Sequence, residues 1–325
     1  MKRLVTMMTK IPASSRIRTT TIRATTDILQ KPNQQQQIFP AAALRICDHH
    51  LHSSGIIPRV LCDQDNTRIY AHDWFCVSQA VRCYPQSSLL HSVVSGADQC
   101  YCDVWVDSDA IGNSSIQFNG LVSIGNDILA AVRRVFVRTH KLRTTSTHDS
   151  KVNDSSGTKR KSASFSDEEK QRFRKHFSFE ALGIGDNYKA SDAKKIQDLV
   201  QIKKTESDSS RLETRISELE EPLSVHQENS FTTRVTVGPQ HINFGNHADH
   251  AFLAETAFHA LTETSNKLSS DYLSIQYKKE VFLGDNLESY GYRQYDTDEE
   301  MNTVILVATR KLTGDKKVVL IAHGD

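Results

Sequence analysis

The chain has 325 residues and a formal net charge of +1, and charged residues make up 24% of it. This length exceeds that of one typical domain and favours two. The balanced charge excludes nucleic acid as a main partner, and no apolar run approaches the roughly 18 to 20 residues needed to span a bilayer.

The first 26 residues are basic and rich in Ser and Thr, and no acidic residue precedes Asp27. This composition is typical of an organelle transit peptide. We therefore expect residues 1–40 to be a transit peptide and a disordered leader. Mitochondrial import is the leading interpretation, with a plastid or cytoplasmic location as the alternative. A disordered basic tail without a targeting role also fits the composition.

All six cysteines lie between residues 47 and 102, and none forms a CxxC pair. Cys100 and Cys102 alternate along a predicted strand, so they share one face of the sheet. Because this spacing does not match a zinc site, we expect buried structural thiols, no metal and no cofactor.

Residues 56–141 are dense in β-branched and aromatic residues and predict a first folded unit. Strands are expected at 101–107, 115–124 and 130–138. A helix is expected within 73–90, because apolar residues recur there at helical spacing. These residues are Trp74, Val77, Ala80, Val81 and Tyr84.

Residues 142–229 are rich in Ser, Thr, Lys, Asp and Glu and predict a charged linker or insertion. Ser166 with Glu169, and Ser210 with Glu213, fit the capping-box pattern that starts a helix. Short helices are therefore expected near 166–178 and 210–220.

Residues 230–325 predict a second folded unit with one helix at 249–264. Strands are expected at 232–237, 272–277, 287–294, 303–309 and 317–323. The two units share an order of strand, polar loop, helix and further strands. One helix wrapped by an antiparallel sheet is the outline of a hotdog domain.

The residues from Asn243 to His250 form a His-rich loop directly before this helix. The second unit resembles the hotdog thioesterase superfamily, and the whole chain resembles the double-hotdog acyl-ACP and acyl-CoA thioesterases. The resemblance implies an α+β fold in which two hotdog units form a pseudo-dimer within one chain. Further association into a homodimer stays open.

The family loop has the form Asp-x-Asn-x-His-Val-Asn-Asn, and His247 matches its histidine. Asn243 stands where the family has aspartate, and Gly245 where it has asparagine. The resemblance implies a catalytic group of His247, Asn243 and Asp249. It also implies a substrate-binding group of Asn246, His250 and Phe252.

Two further carboxylates match other branches of the superfamily. Leu253-Ala-Glu-Thr-Ala-Phe258 is similar to the helix of phenylacetyl-CoA thioesterase-like proteins and puts Glu255 at their catalytic position. Cys62-Asp-Gln-Asp65 is similar to the Asp-x-Asp loop of 4-hydroxybenzoyl-CoA thioesterases and puts Asp65 at theirs.

Each candidate residue also has a structural interpretation. Glu255 falls on the polar side of its predicted helix and would simply be solvated. Asp249 suits the N-cap of that helix, and Asp65 suits a turn. His247 would then be an ordinary loop residue.

The resemblance implies hydrolysis of an acyl thioester, carried by CoA or acyl carrier protein, to a free acid and a thiol. A carboxylate would activate water, and the N-terminus of the helix would stabilise the charge on the carbonyl oxygen. A non-catalytic acyl-binding or structural subunit is the alternative. A hotdog hydratase or dehydratase needs Asp and Asn where this chain has Ile242 and Phe244.

Overall fold

A computed structural model provides the structure of the chain. It describes residues 16–19, 28–30, 35–38, 40–53, 74–84, 86–87, 100–124, 127–141, 160–188, 231–242, 247–265, 272–294, 304–312 and 318–324. The α-helices in these ranges are α1 (Pro40–Ser53), α2 (Asp167–Phe177) and α3 (His250–Ser265). None of these helices is both long and apolar enough to cross a membrane.

The strands form one large antiparallel sheet and one small sheet. They are β1 (Arg16–Thr19), β2 (Ile28–Gln30), β3 (Gln35–Ile38), β4 (Trp74–Cys83), β5 (Gln86–Ser87), β6 (Cys100–Val106), β7 (Ser115–Ile124), β8 (Asp127–Lys141), β9 (Arg160–Ser162), β10 (Phe231–Thr236), β11 (Tyr272–Tyr277), β12 (Asn286–Gln294), β13 (Val304–Lys311) and β14 (Val318–Gly324). The small sheet contains β2, β3 and β5.

The large sheet consists of two units with the same strand order. The first unit runs β1-β6-β7-β8-β4, and the second runs β10-β12-β13-β14-β11. The units join where β4 pairs antiparallel with β11, with Arg82 opposite Tyr272 and Ser78 opposite Gln276. Helices α1 and α3 contact each other and pack on the strands of their own units. This arrangement confirms the expected α+β fold with two hotdog units in one chain.

The prediction of a helix within 73–90 is wrong, because the residues from Trp74 to Cys83 form strand β4. This strand is central and buried on both faces. Val81 packs in the core beside the helices, while Ala80 packs in a second cluster on the opposite face. Apolar residues on both faces hide the alternation that marks a strand with one exposed face.

The helix of the first unit is α1, which precedes the range 56–141 expected for that unit. It begins at Pro40, and proline is favoured in the first turn because its missing N–H has no intrahelical partner there. Strand β1 pairs with β6, with Arg16 opposite Asp103. Strands β1 to β3 thus lie within residues 1–40, the range expected to be a disordered leader.

Part of the charged insertion packs against the first unit. Helix α2 begins with the expected capping box, in which Glu169 N–H donates to Ser166 Oγ and Ser166 N–H donates to the Glu169 carboxylate. Phe173 and Phe177 of this helix are buried in the main core. The helix expected near 166–178 is confirmed, and the one expected near 210–220 lies outside the described residues.

The five cysteines that the structure describes are buried, as the sequence predicts. Cys100 and Cys102 both lie in the core, and the Cys102 Sγ is 3.5 Å from the Cys47 Sγ on α1. A side chain at Gly120 would place its Cβ 2.8 Å from the Cys47 Sγ. Glycine at this position therefore lets α1 pack closely on β7.

Candidate active site

Backbone hydrogen bonds tie the residues directly before α3 to neighbouring described segments. Asp249 N–H donates to the His241 carbonyl at 2.7 Å, and Ala248 N–H donates to the Val281 carbonyl at 2.7 Å. The Asp249 side chain accepts a bond from Ala251 N–H at 2.9 Å. Asp249 is thus the N-cap of α3, and the positive end of the helix lies at this loop.

His247 and Glu280 meet at this helix start. The His247 Nε2 lies 3.9 Å from the Glu280 Oε1, and the two side chains are 26% and 30% exposed. The Phe282 ring lies 5.1 Å from the His247 ring. Since the Ala248 bond to Val281 ties the two segments together, an imidazole and a carboxylate are held side by side on two partly exposed side chains.

A second polar group surrounds His250, the first residue of α3. Arg134 on β8 contacts the Asp48 carboxylate on α1, and its Nη2 lies 3.1 Å from the His250 Nδ1. The Arg134 side chain is 2% exposed and the Asp48 side chain 29%. Because a guanidinium only donates, His250 Nδ1 is the acceptor and the ring carries its proton on Nε2.

The backbone of His250 is also held from both units. Its carbonyl oxygen lies 3.4 Å from the Gln79 Nε2 and 3.4 Å from the Tyr277 hydroxyl. Gln79 also donates to the Tyr277 hydroxyl. The start of α3 is therefore fixed by a strand of each unit at the seam between β4 and β11.

Burial sets the charge of these groups. Burial and the nearby positive charge of Arg134 lower the pKa of His250 to about 3, so the imidazole is neutral at physiological pH. Burial opposes the charge of Arg134, but the Asp48 carboxylate outweighs it and raises the pKa of Arg134. Burial raises the pKa of Tyr277, whose phenol stays protonated. The group therefore holds one ion pair and a set of neutral hydrogen-bonding side chains.

The site belongs to both units. Asp48, Gln79 and Arg134 come from the first, while His250 and Tyr277 come from the second. The first turn of α1, by contrast, contains Pro40 followed by three alanines. The two helix starts therefore differ in chemistry although the two units share a topology.

The structure brings together only some of the residues that the sequence singled out. His247, Asp249 and His250 lie at the start of α3, and Phe252 stacks on the His241 ring at 3.9 Å. Glu255 is on α3 but exposed. Asp65, Asn243 and Asn246 lie outside the described residues.

Sequence reasoning missed Asp48, Gln79, Arg134, Tyr277 and Glu280. A signal for one of them existed, since Arg134 interrupts an apolar strand and a charge at such a position is usually paired. Gln79 fell in the segment assigned to the wrong element. Glu280 follows two lysines in a polar turn, where nothing local distinguishes it.

Among the residues that the structure describes, no group of three His, Cys, Asp or Glu side chains is placed to hold a metal ion. The polar groups at the start of α3 are the His247 imidazole with the Glu280 carboxylate 3.9 Å away, the positive end of the helix, and the side chains that hold His250. Such an arrangement can activate a water molecule and stabilise a developing negative charge.

Comparison with known proteins supports the fold. The chain is similar in structure to a 12:0-ACP thioesterase from Umbellularia californica, with a TM-score of 0.54, 13% identity and coverage of 95% of this chain and 92% of that one. It is also similar to an acyl-ACP thioesterase from Bacteroides thetaiotaomicron, with a TM-score of 0.50, 12% identity and coverage of 95% and 96%. No family model matches the sequence, and no curated protein matches it.

Proposed function

We propose that this chain hydrolyses acyl thioesters, with CoA or an acyl carrier protein as the thiol carrier. The observation that carries the proposal is the pairing of His247 with Glu280 at the start of α3, 3.9 Å apart. The structural similarity to thioesterases supports the same class of reaction at low sequence identity.

The chemistry follows from the two side chains. Glu280 orients the His247 imidazole and stabilises its positive charge, while His247 removes a proton from water. The water oxygen bonds to the thioester carbonyl carbon, and the carbonyl oxygen becomes negative. When the C–S bond breaks, the proton on His247 passes to the leaving sulfur, which gives a free acid and a thiol.

The start of α3 supplies the electrostatic part of the reaction. The negative carbonyl oxygen lies best at the positive end of a helix, where N–H groups of the first turn point toward it. Asp249 fixes this turn by accepting the Ala251 N–H bond, so it acts through the backbone rather than as a base. From their positions in the motif we propose Asn243 as a further catalytic residue and Asn246 as a substrate contact.

Glu280 has two competitors for the role of carboxylate. Glu255 and Asp65 match positions of other thioesterase branches, but Glu255 is exposed on α3, away from the start of the helix. Because the carboxylate in this proposal orients the His247 imidazole, it must lie beside that ring, and Glu280 does so. The proposal therefore places both catalytic groups on the second unit.

The test is thiol release by the purified full chain from a panel of acyl-CoA and acyl-carrier-protein thioesters. The variants are His247→Gln, Glu280→Gln, Glu255→Gln and Asp65→Asn, with Glu263→Gln as a control on the exposed side of α3. We expect His247→Gln and Glu280→Gln to lower kcat by about 100-fold, the usual contribution of acid–base catalysis. The control should match the unmodified chain.

Other outcomes assign the reaction differently. Loss of turnover only in Glu255→Gln or only in Asp65→Asn would move the carboxylate to that residue and contradict the role of Glu280. No turnover on any substrate, with the chain folded, would overturn hydrolysis. Tight binding of acyl-CoA in that case would favour the acyl-binding alternative, which the asparagine at position 243 also suits.

We also propose an organellar, mitochondrial location from the basic, acid-free composition of residues 1–26. Because β1 begins at Arg16, a removable presequence that spares this strand would end before it. Fusion of residues 1–15 to a fluorescent protein tests the proposal. Import into mitochondria is the expected result, and a diffuse signal would contradict it.

A further inference from the structure

His250 has more fixed contacts than a residue needs in order to begin a helix, and the reaction outlined above gives these contacts no role. Its Nδ1 is fixed by Arg134 at 3.1 Å, and its carbonyl is held by Gln79 and Tyr277. Its ring also lies 4.8 Å from the Tyr277 ring. Two contacts, one from each unit, thus fix the imidazole, and two more hold the backbone carbonyl at the positive end of α3.

One edge of this imidazole is left for a ligand. The Nδ1 edge faces Arg134, whose side chain is 2% exposed, whereas His250 keeps some exposed surface. No hydrogen bond joins Nε2 to another residue in the part of the chain that the structure describes. With Nδ1 accepting, Nε2 carries a proton and is a donor.

We propose that the His250 Nε2–H donates a hydrogen bond to the thioester carbonyl oxygen, and that Arg134 and Asp48 are positioning residues that fix this tautomer. The inference rests on the proposed thioester hydrolysis. A donor that is already oriented stabilises the negative oxygen without reorganisation during the reaction. His247 then moves the proton, and His250 keeps its own.

The charged and titratable groups around the His250 ring are consistent with His250 as a hydrogen-bond donor and His247 as the proton carrier. Arg134 on β8, Asp48 on α1, Tyr277 on β11 and His247 in the preceding loop surround it. Burial and then the positive charge of Arg134 lower the pKa of His250 and hold the ring neutral, because a second charge beside a buried guanidinium is unfavourable. Neutral His250 is therefore unsuited to be the proton carrier, a role that His247 fills beside Glu280.

The first experiment measures kcat and KM for His250→Leu and His250→Gln. The leucine variant removes the donor, and we expect kcat to fall about 100-fold with little change in KM, as for loss of one oxyanion donor. The amide nitrogen of glutamine reaches the place of Nε2, so His250→Gln should recover most of the loss. His250→Asn, whose amide is too short to do so, is the matched control.

The second experiment tests the positioning role. The double variant Asp48→Asn/Arg134→Met removes both charges and should lower kcat, but it should add little to the loss in His250→Leu, because the pair acts through the ring. Nitrogen-15 NMR of the unmodified chain should show a neutral, Nε2-protonated His250 at pH 6, identified by the signal missing in His250→Gln.

Each result decides a separate point. If the unmodified chain is active and the kcat of His250→Leu lies within about threefold of its kcat, this inference is overturned, while the proposed hydrolysis stands. If His250→Leu does not fold, equal kcat in the Gln and Asn variants would overturn it. If the kcat losses of His250→Leu and of Asp48→Asn/Arg134→Met are additive when combined, the positioning role is overturned. A charged or Nδ1-protonated His250 ring would overturn it too. An inactive wild-type chain would overturn the proposed function and the donor role with it.

Discussion

The ion pair between Arg134 and Asp48 gives the sharpest stability prediction. Arg134 is 2% exposed, so Asp48→Asn leaves a buried guanidinium without its counter-charge. Removing one partner of a buried ion pair costs about 3–5 kcal/mol. Asp48 is 29% exposed and asparagine keeps one oxygen acceptor, so we expect a loss near the lower value.

The assay is the free energy of unfolding, obtained from urea denaturation. Removing both charges in Asp48→Asn/Arg134→Met should cost less than Asp48→Asn alone, because no charge is then left buried without a partner. Asp167→Asn is the control, since its side chain is 98% exposed and should contribute less than about 1 kcal/mol. A loss below about 1 kcal/mol in Asp48→Asn, or a larger loss in the double variant, would refute the reasoning.

Three further predictions concern other parts of the fold. The pKa of His250 is lowered from 6.5 to about 3, so its contribution to stability is fully present above pH 6.5 and is lost as pH falls toward 3. In this window the free energy of unfolding should rise with pH by up to about 1.4 kcal/mol per pH unit because of His250, and His250→Gln should remove that slope. An unchanged slope would contradict the burial of the ring. Phe173→Ala should cost about 3–5 kcal/mol in urea denaturation, because Phe173 is fully buried, whereas Arg174→Ala on the exposed side of α2 should cost little. A small loss in Phe173→Ala would mean that α2 does not pack on the core. Removal of residues 1–15 should leave Tm unchanged and removal of residues 1–19 should lower it, since the second truncation deletes β1 and exposes β6, and equal Tm values would contradict this pairing.

The second unit could be predicted from the sequence almost completely. Strand β11 has the expected bounds, and α3 begins one residue after the expected start. Its strands are rich in β-branched and aromatic residues, and Asp249, the cap of its helix, directly precedes α3. Local patterns therefore carried most of the information about its elements.

The first unit was harder to predict for a physical reason. Its strand β4 is buried on both faces, so hydrophobic periodicity does not distinguish it from a helix. Once β4 is taken as the helix, the true helix α1 is left between the expected leader, residues 1–40, and the expected first unit, residues 56–141. The pairing of β1 with β6 spans more than eighty positions in the sequence, and no local pattern reveals it.

In the candidate site, too, the residues that could be predicted are those that lie close together in the sequence. His247, Asp249 and His250 are neighbours in sequence and were found together. Asp48 and Arg134 reach the site only through the pairing of the two units and the packing of α1. Glu280 reaches it through the hydrogen bond between Ala248 and Val281, two segments that are distant in sequence. The family motif therefore identified the segment before α3 but not the charged residues near it, Asp48, Arg134 and Glu280.

The seam between β4 and β11 has a consequence for the order in which the chain folds during synthesis. Strand β4 leaves the ribosome long before residues 272–276, which pair with its free edge. Until then the first unit presents an unpaired edge of a central strand, and such edges pair with other chains. Nascent chains that stop before residue 272 should therefore associate with one another or need a chaperone, whereas the completed chain closes this edge with its own second half.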